Sequence, residues 1–136
     1  MQAVLDPNVL ISALLSPKGS PAQVLRAWEA GEFELIVSEA LLAELERALA
    51  YPKLRRLLSS DDAAAAVAWI RGSATMRSDP TEAPDVRSED PGDDYLIALA
   101  ATETAWLVSG DGHLLQLEGD IPSISPRRFL DKLNER

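Results

Sequence analysis

Short apolar runs of three to five residues alternate along this chain with longer stretches of helical periodicity. Elements in that order are accommodated by a parallel sheet covered by helices and joined through right-handed crossovers. Ala3-Val4-Leu5 reads as a buried strand ending on Asp6, after which Val9, Leu10, Ala13 and Leu14 recur at helical spacing. The chain turns around Ser16 to Gly19, and a second helix is expected with Ser20 as N-cap, Pro21 at its first position and Gln23 at the capping-box position, ending before Gly31. Phe33 to Val37 is the next strand. Ser38 caps a helix from Glu39 to Ala50, which Tyr51-Pro52 stops because proline disfavours helical geometry in the residue before it. On that helix Leu41, Leu42, Leu45, Ala48 and Leu49 form one apolar stripe, with Glu44 on one edge and Glu46 on the other.

Further along, the pattern predicts a short helix over Lys53 to Leu58, an alanine-rich helix from Asp61 to Arg71 capped by Ser60 or a neighbour and ended by Gly72, and a weak strand over Ala74 to Arg77. Ser78 to Asp94 carries three prolines, seven acids and one basic residue, Arg87, and reads as an exposed loop. A helix from about Gly92 to Glu103, a strand over Trp106 to Ser109, a turn at Gly110-Asp111-Gly112, a helical step at Leu114-Leu115, a strand over Ser123 to Ser125 and a helix opened by Pro126 complete the pattern. The expected fold is a three-layer α/β/α sandwich around a parallel sheet of four to five strands. It forms one domain over residues 1–136, a length in the ordinary range for a single core.

With 46% hydrophobic residues and a mean hydropathy of -0.06, the chain has enough apolar surface to fold. No cysteine is present, so disulfides, thiolate metal sites and cysteine nucleophiles are excluded, which suits a reducing cytoplasm. The longest charge-free run, residues 7–17, spans 11 residues and contains two prolines, too short and broken for a signal peptide or a membrane span. With 13 Lys and Arg against 22 Asp and Glu, the formal charge is -9, which at first sight argues against nucleic acid.

In such a sheet, ligands bind outside the carboxyl ends of the strands. Asp6 ends the first strand, Asp111 follows the Trp106 to Ser109 strand, and Asp93-Asp94 open the helix leading into that strand. Carboxylates converging there raise one another's pKa unless a cation intervenes, and Mg²⁺ or Mn²⁺ is the natural one for oxygen donors. Taken singly, each acid is as well explained as a turn former or helix cap. Spacing leaves Glu39, Glu44 and Glu46 open as a helix-borne fourth ligand.

Val4-Leu5-Asp6-Pro7-Asn8-Val9-Leu10-Ile11 resembles the opening motif of PIN-domain ribonucleases, in particular the toxin components of toxin–antitoxin systems. Ser38 to Leu45 is similar to the second motif, whose acid falls on Glu44; Asp94-Tyr95-Leu96-Ile97-Ala98 to the third; and Leu107-Val108-Ser109-Gly110-Asp111 to the fourth. The resemblance runs over residues 3–130. It implies a PIN-like sandwich whose acidic cluster, Asp6, Glu44, Asp94 and Asp111, holds Mg²⁺ or Mn²⁺ and carries the catalysis, with Asn8 supporting Asp6 and the role of Asp93 left open. The implied activity is endoribonuclease cleavage of single-stranded RNA leaving 5′-phosphate and 3′-hydroxyl ends, the implied partners an antitoxin protein and a second copy of the chain. Two bound dications would bring the formal charge from -9 to -9 + 4 = -5. One departure is Pro7, where the family often has Thr or Ser; proline lacks both the hydroxyl and a backbone N–H.

Other readings are a catalytically weak PIN domain used for protein interaction, or a relative of aspartyl-phosphate phosphatases, whose second Asp would stand where Asn8 does. Arg47, Lys53, Arg55 and Arg56 make one basic patch and Arg127 with Arg128 another, either suited to phosphates or to solvent. His113 is left outside the site, Ser109 orients a ligand or ends a strand, and Trp28, Trp69 and Trp106 are core or interface aromatics.

Overall fold

The computed structural model describes residues 1–135. Five strands, β1 (Gln2–Leu5), β2 (Glu34–Val37), β3 (Thr75–Met76), β4 (Trp106–Val108) and β5 (Ser123–Ile124), form one sheet in the order β3-β2-β1-β4-β5. Every pair is parallel, with Ala3 flanked by Leu35 of β2 and Trp106 of β4. Because β1 is central, Ala3, Val4 and Leu5 are fully buried, which is why that strand reads as a continuous apolar run without alternation.

Among the described residues eight α-helices flank the sheet: α1 (Pro7–Leu15), α2 (Ser20–Glu29), α3 (Glu39–Leu49), α4 (Pro52–Arg55), α5 (Ser60–Ser73), α6 (Asp94–Thr102), α7 (Gly112–Leu115) and α8 (Pro126–Asn134). They make the outer layers of the expected α/β/α sandwich. α1 packs on α2 and α3, α2 on α8, and α3 on α5, while α6 lies on β1 and β4. Phe33 and Phe129 meet edge to face at 5.0 Å and close the core between β2 and α8.

Four details differ from the sequence reading. Gly19, not Ser20, is the N-cap of α2 and supplies no side-chain bond, since Ser20 already lies inside the helix. Gly72 falls within α5, which runs to Ser73 from an N-cap at Ser59 whose hydroxyl accepts the Asp62 N–H at 3.1 Å. Pro52 starts α4, as its ring and missing N–H suit a first helical turn, and that helix stops at Arg55. The loop before α6 is only partly exposed: Ser88 is buried, and Asp79 Oδ2 accepts the Ala40 N–H at 3.0 Å, adding a second acceptor at the start of α3 beside Ser38.

The strand order changes direction between β1 and β4, with β2 on one side and β5 on the other. At such a switch point the connections leave in opposite directions, and a crevice opens outside the carboxyl ends of the two strands. Asp6 and Ser109 are the residues that follow β1 and β4 there.

Candidate functional site

Asp6 is buried, 4% exposed, and acts as the N-cap of α1. Its Oδ1 accepts the Asn8 N–H at 3.0 Å and its Oδ2 the Ser109 hydroxyl at 2.8 Å. Burial pushes its carboxyl above the ordinary range, partly opposed by those two donors, and Asp111 pushes it further up. Asn8 thus supports Asp6 through its backbone. Pro7 sits at the first turn of α1, where a backbone N–H has no intrahelical acceptor, so that loss costs no helical bond and only a hydroxyl is absent.

Asp111 caps α7, accepting the His113 N–H at 2.8 Å, while its own N–H donates to Ser109 Oγ at 2.9 Å. Ser109 therefore joins the two acids through one hydroxyl. Glu44, half-buried on α3, accepts a short hydrogen bond from the Tyr95 hydroxyl of α6. Burial and the Glu44 carboxylate push the Tyr95 phenol far up, so it stays a donor. The neighbouring acids of α3 are placed differently: Glu39 pairs with Arg71, and Glu46 is exposed at the groove between α3 and α5. Of the three, Glu44 is the one that meets a side chain of α6.

The adjacent acids Asp93 and Asp94 diverge. Asp94 Oδ1 accepts the Ser88 N–H at 2.8 Å and Oδ2 lies 3.8 Å from Arg87 Nη1, so its carboxylate is engaged by the loop before α6. Asp93 is pushed up to about 6, first by burial and then by the charges of Asp6, Asp90, Asp111 and Glu44. Asp93, whose role the motif left open, is thus in the field of Asp6, Asp111 and Glu44. His113 Nδ1 stands 2.8 Å from Glu89 Oε2, tying α7 to the same loop.

The donor set is hard and wholly carboxylate, the chemistry that suits Mg²⁺ or Mn²⁺. Among the described residues no three Asp, Glu or His side chains converge as a ready ligand set. The acids form a shared electrostatic field at one crevice, with no finished cage. Ser109 and Tyr95 were underweighted by sequence reasoning: a strand-end hydroxyl and a helix aromatic carry no local sign of a carboxylate partner 103 and 51 positions away. No helix among the described residues is long and apolar enough to cross a membrane.

Residues 2–113 match a family model described as PIN domain. The uncharacterised protein MJ1680 of Methanocaldococcus jannaschii is 28% identical over 121 residues, covering 88% of this chain and 77% of that protein. Among solved structures, PAE2754 from Pyrobaculum aerophilum superposes with a TM-score of 0.64 at 18% identity, covering 100% of this chain and 97% of that one. VapBC2 from Rickettsia felis, solved bound to a DNA fragment from their promoter, gives a TM-score of 0.64 at 13% identity, covering 92% and 98%.

Proposed function

The chain belongs to the PIN domain family, and on that premise we propose that it is a metal-dependent endoribonuclease that hydrolyses phosphodiester bonds in single-stranded RNA, serving as the toxin of a toxin–antitoxin pair. The observation that carries this reading is the elevation of Asp93 to about 6 by burial and by Asp6, Asp90, Asp111 and Glu44, at the crevice where this topology accepts ligands. Carboxylates held together at that cost fit a place for a dication. The likeness to the fold of VapBC2 supports an antitoxin protein as partner; we take the nuclease to act as a homodimer in the cytoplasm.

Asp6, Asp93 and Asp111 would hold Mg²⁺ or Mn²⁺, with Glu44 at the margin. When bound, such an ion lowers the pKa of a water and neutralises charge on the phosphodiester. The chain's own residues supply position. Asn8 and Ser109 fix both oxygens of Asp6, the capped start of α7 directs Asp111, and Tyr95 fixes Glu44. Asp94, at the motif position, holds the loop through Ser88 and Arg87 and thereby sets where Asp93 points.

The test is cleavage of a labelled single-stranded RNA with Mn²⁺. Asp6→Asn and Asp93→Asn should abolish product, whereas Asp94→Asn should lower the rate by a smaller factor. Full activity in the first two variants would sink the assignment. A second reading, a catalytically weak PIN domain acting in protein interaction, is favoured by the absence of three converged acids among the described residues. Calorimetry separates the two, because that reading requires no measurable Mn²⁺ binding.

A further inference from the structure

We propose that the end of α3 and the α4 turn form a track for the backbone of single-stranded RNA leading away from the acidic crevice, an inference that rests on the nuclease reading above. Residues 47–58 hold Arg47, Lys53, Arg55 and Arg56 and no acid, in a chain whose formal charge is -9. Of the other described arginines, five are paired with acids, Arg71 with Glu39, Arg77 with Glu103, Arg87 with Asp94, Arg127 with Asp131 and Arg128 with Glu118, and Arg26 donates to the Pro17 carbonyl. The cations of this segment make no ion pair among the described residues. That separates the two basic patches: Arg127 and Arg128 are paired with neighbouring acids, whereas the 47–58 cations are in no ion pair, although Glu46 lines the same α3–α5 groove as Arg55.

Tyr51 lies between Arg47 and Lys53 in the sequence and is 65% exposed, an aromatic face with no burial to account for it. Pro52 and the hydrogen bonds from the Leu54 and Arg55 N–H groups to the Tyr51 carbonyl hold its backbone at the start of α4. An exposed ring flanked by unpaired cations suits stacking of an unpaired base with its phosphates held on either side. The track also begins at the right place. Arg47 lies three positions after Glu44 on α3, and residues at that spacing are neighbours on one helix surface with Cβ atoms about 5–6 Å apart. A strand seated on the acidic crevice thus meets Arg47 one turn along and the Tyr51 turn beyond it.

The experiment measures binding without turnover, by fluorescence anisotropy of a labelled single-stranded RNA of about twelve nucleotides, within the usual footprint of such sites, on the Asp6→Asn protein in EDTA. Arg55→Glu with Arg56→Glu should weaken binding at least about tenfold and lower the salt slope by about 0.7 for each cation lost, whereas Arg55→Lys with Arg56→Lys should retain both. Tyr51→Ala should weaken binding by about tenfold at an unchanged slope. Unchanged affinity and slope in the charge-reversed protein, with its native circular dichroism intact, would overturn the track. So would displacement of the RNA by poly-glutamate of equal charge together with no effect of Tyr51→Ala, which assigns the face to an acidic protein. A protein that binds RNA through these residues and never cuts it fails the nuclease reading alone; one that cuts RNA while binding ignores charge reversal fails the track alone.

Discussion

The Ser109 hydroxyl donates to Asp6 Oδ2 at 2.8 Å, tying the end of β4 to the end of β1 across 103 positions of sequence. Both residues are buried, and the same Ser109 oxygen accepts the Asp111 N–H. The hydroxyl therefore stabilises the charged form of Asp6 and aims the turn that carries Asp111.

Ser109→Ala removes the donor and leaves a buried carboxylate oxygen unpaired, a loss worth about 1–3 kcal/mol. Urea denaturation at neutral pH should show a lower midpoint at unchanged slope. The loss should shrink towards low pH, because protonated Asp6 no longer needs that donor.

Asp93 titrates near 6 in the folded chain against an ordinary 3.8. The folded state holds this proton more tightly than the unfolded one, so the group favours folding below its ordinary value, and that contribution is lost as pH rises through about 6. Asp93→Asn should therefore raise the melting temperature at pH 7.5 by about 3 °C, the scale of a screened effect near ~1 kcal/mol, and should gain nothing at pH 3. Differential scanning calorimetry across that range checks the sign. Added Mn²⁺ should stabilise the native protein at pH 7.5 and leave the Asn variant unmoved.

Tyr95→Phe keeps the ring packed between α6 and α3 and deletes only the hydroxyl that Glu44 accepts. Hydrogen bonds to charged groups contribute about 1.5–3 kcal/mol when buried, and this half-buried one should lie at or below the lower end. A chemical denaturation curve for Tyr95→Phe, compared with Tyr95→Phe/Glu44→Gln, should show that the second change adds less than Glu44→Gln does alone, since the two side chains act through one bond.

At the start of α3, Ser38 Oγ accepts the Leu41 N–H and Asp79 Oδ2 accepts the Ala40 N–H. Ser38→Ala and Asp79→Ala should each destabilise by about 1 kcal/mol, as loss of a helix cap does. The Asp79 variant should in addition expose the loop between β3 and α6 to limited proteolysis, since that side chain pins the loop's beginning to α3. Equal proteolysis of both variants would refute the pinning.

The strand–helix order, the parallel sheet and most helix starts were readable from the chain because their causes are local. Apolar runs bury a strand, a Ser or Asp accepts the free N–H groups of the next helix, and proline sets a first turn. Asp6, Ser38 and Asp111 are such caps, each accepting a backbone N–H two or three positions ahead; Ser125, read from the sequence as the end of a strand, is one as well. Glu44 lies within α3, whereas Asp6, Asp93, Asp94 and Asp111 could be found the same way, since each follows a strand or opens a helix. The choice among them could not. Glu39, Glu44 and Glu46 differ only in the direction of their side chains around α3, and only α6 packing on β1 and β4 decides that the Tyr95 hydroxyl reaches Glu44.

Sequence by itself determined that this chain is an all-parallel α/β fold with carboxylates at the strand ends, because periodicity and capping act over a few residues. Tertiary structure alone decided which carboxylates interact. Asp93 and Asp94 are adjacent and chemically identical, yet a backbone N–H and a guanidinium from the preceding loop occupy Asp94, while Asp93 is left in the field of Asp6, Asp111 and Glu44. Electrostatic coupling depends on distance through a partly buried crevice, and that distance exists only once β1, β4, α3 and α6 are brought together.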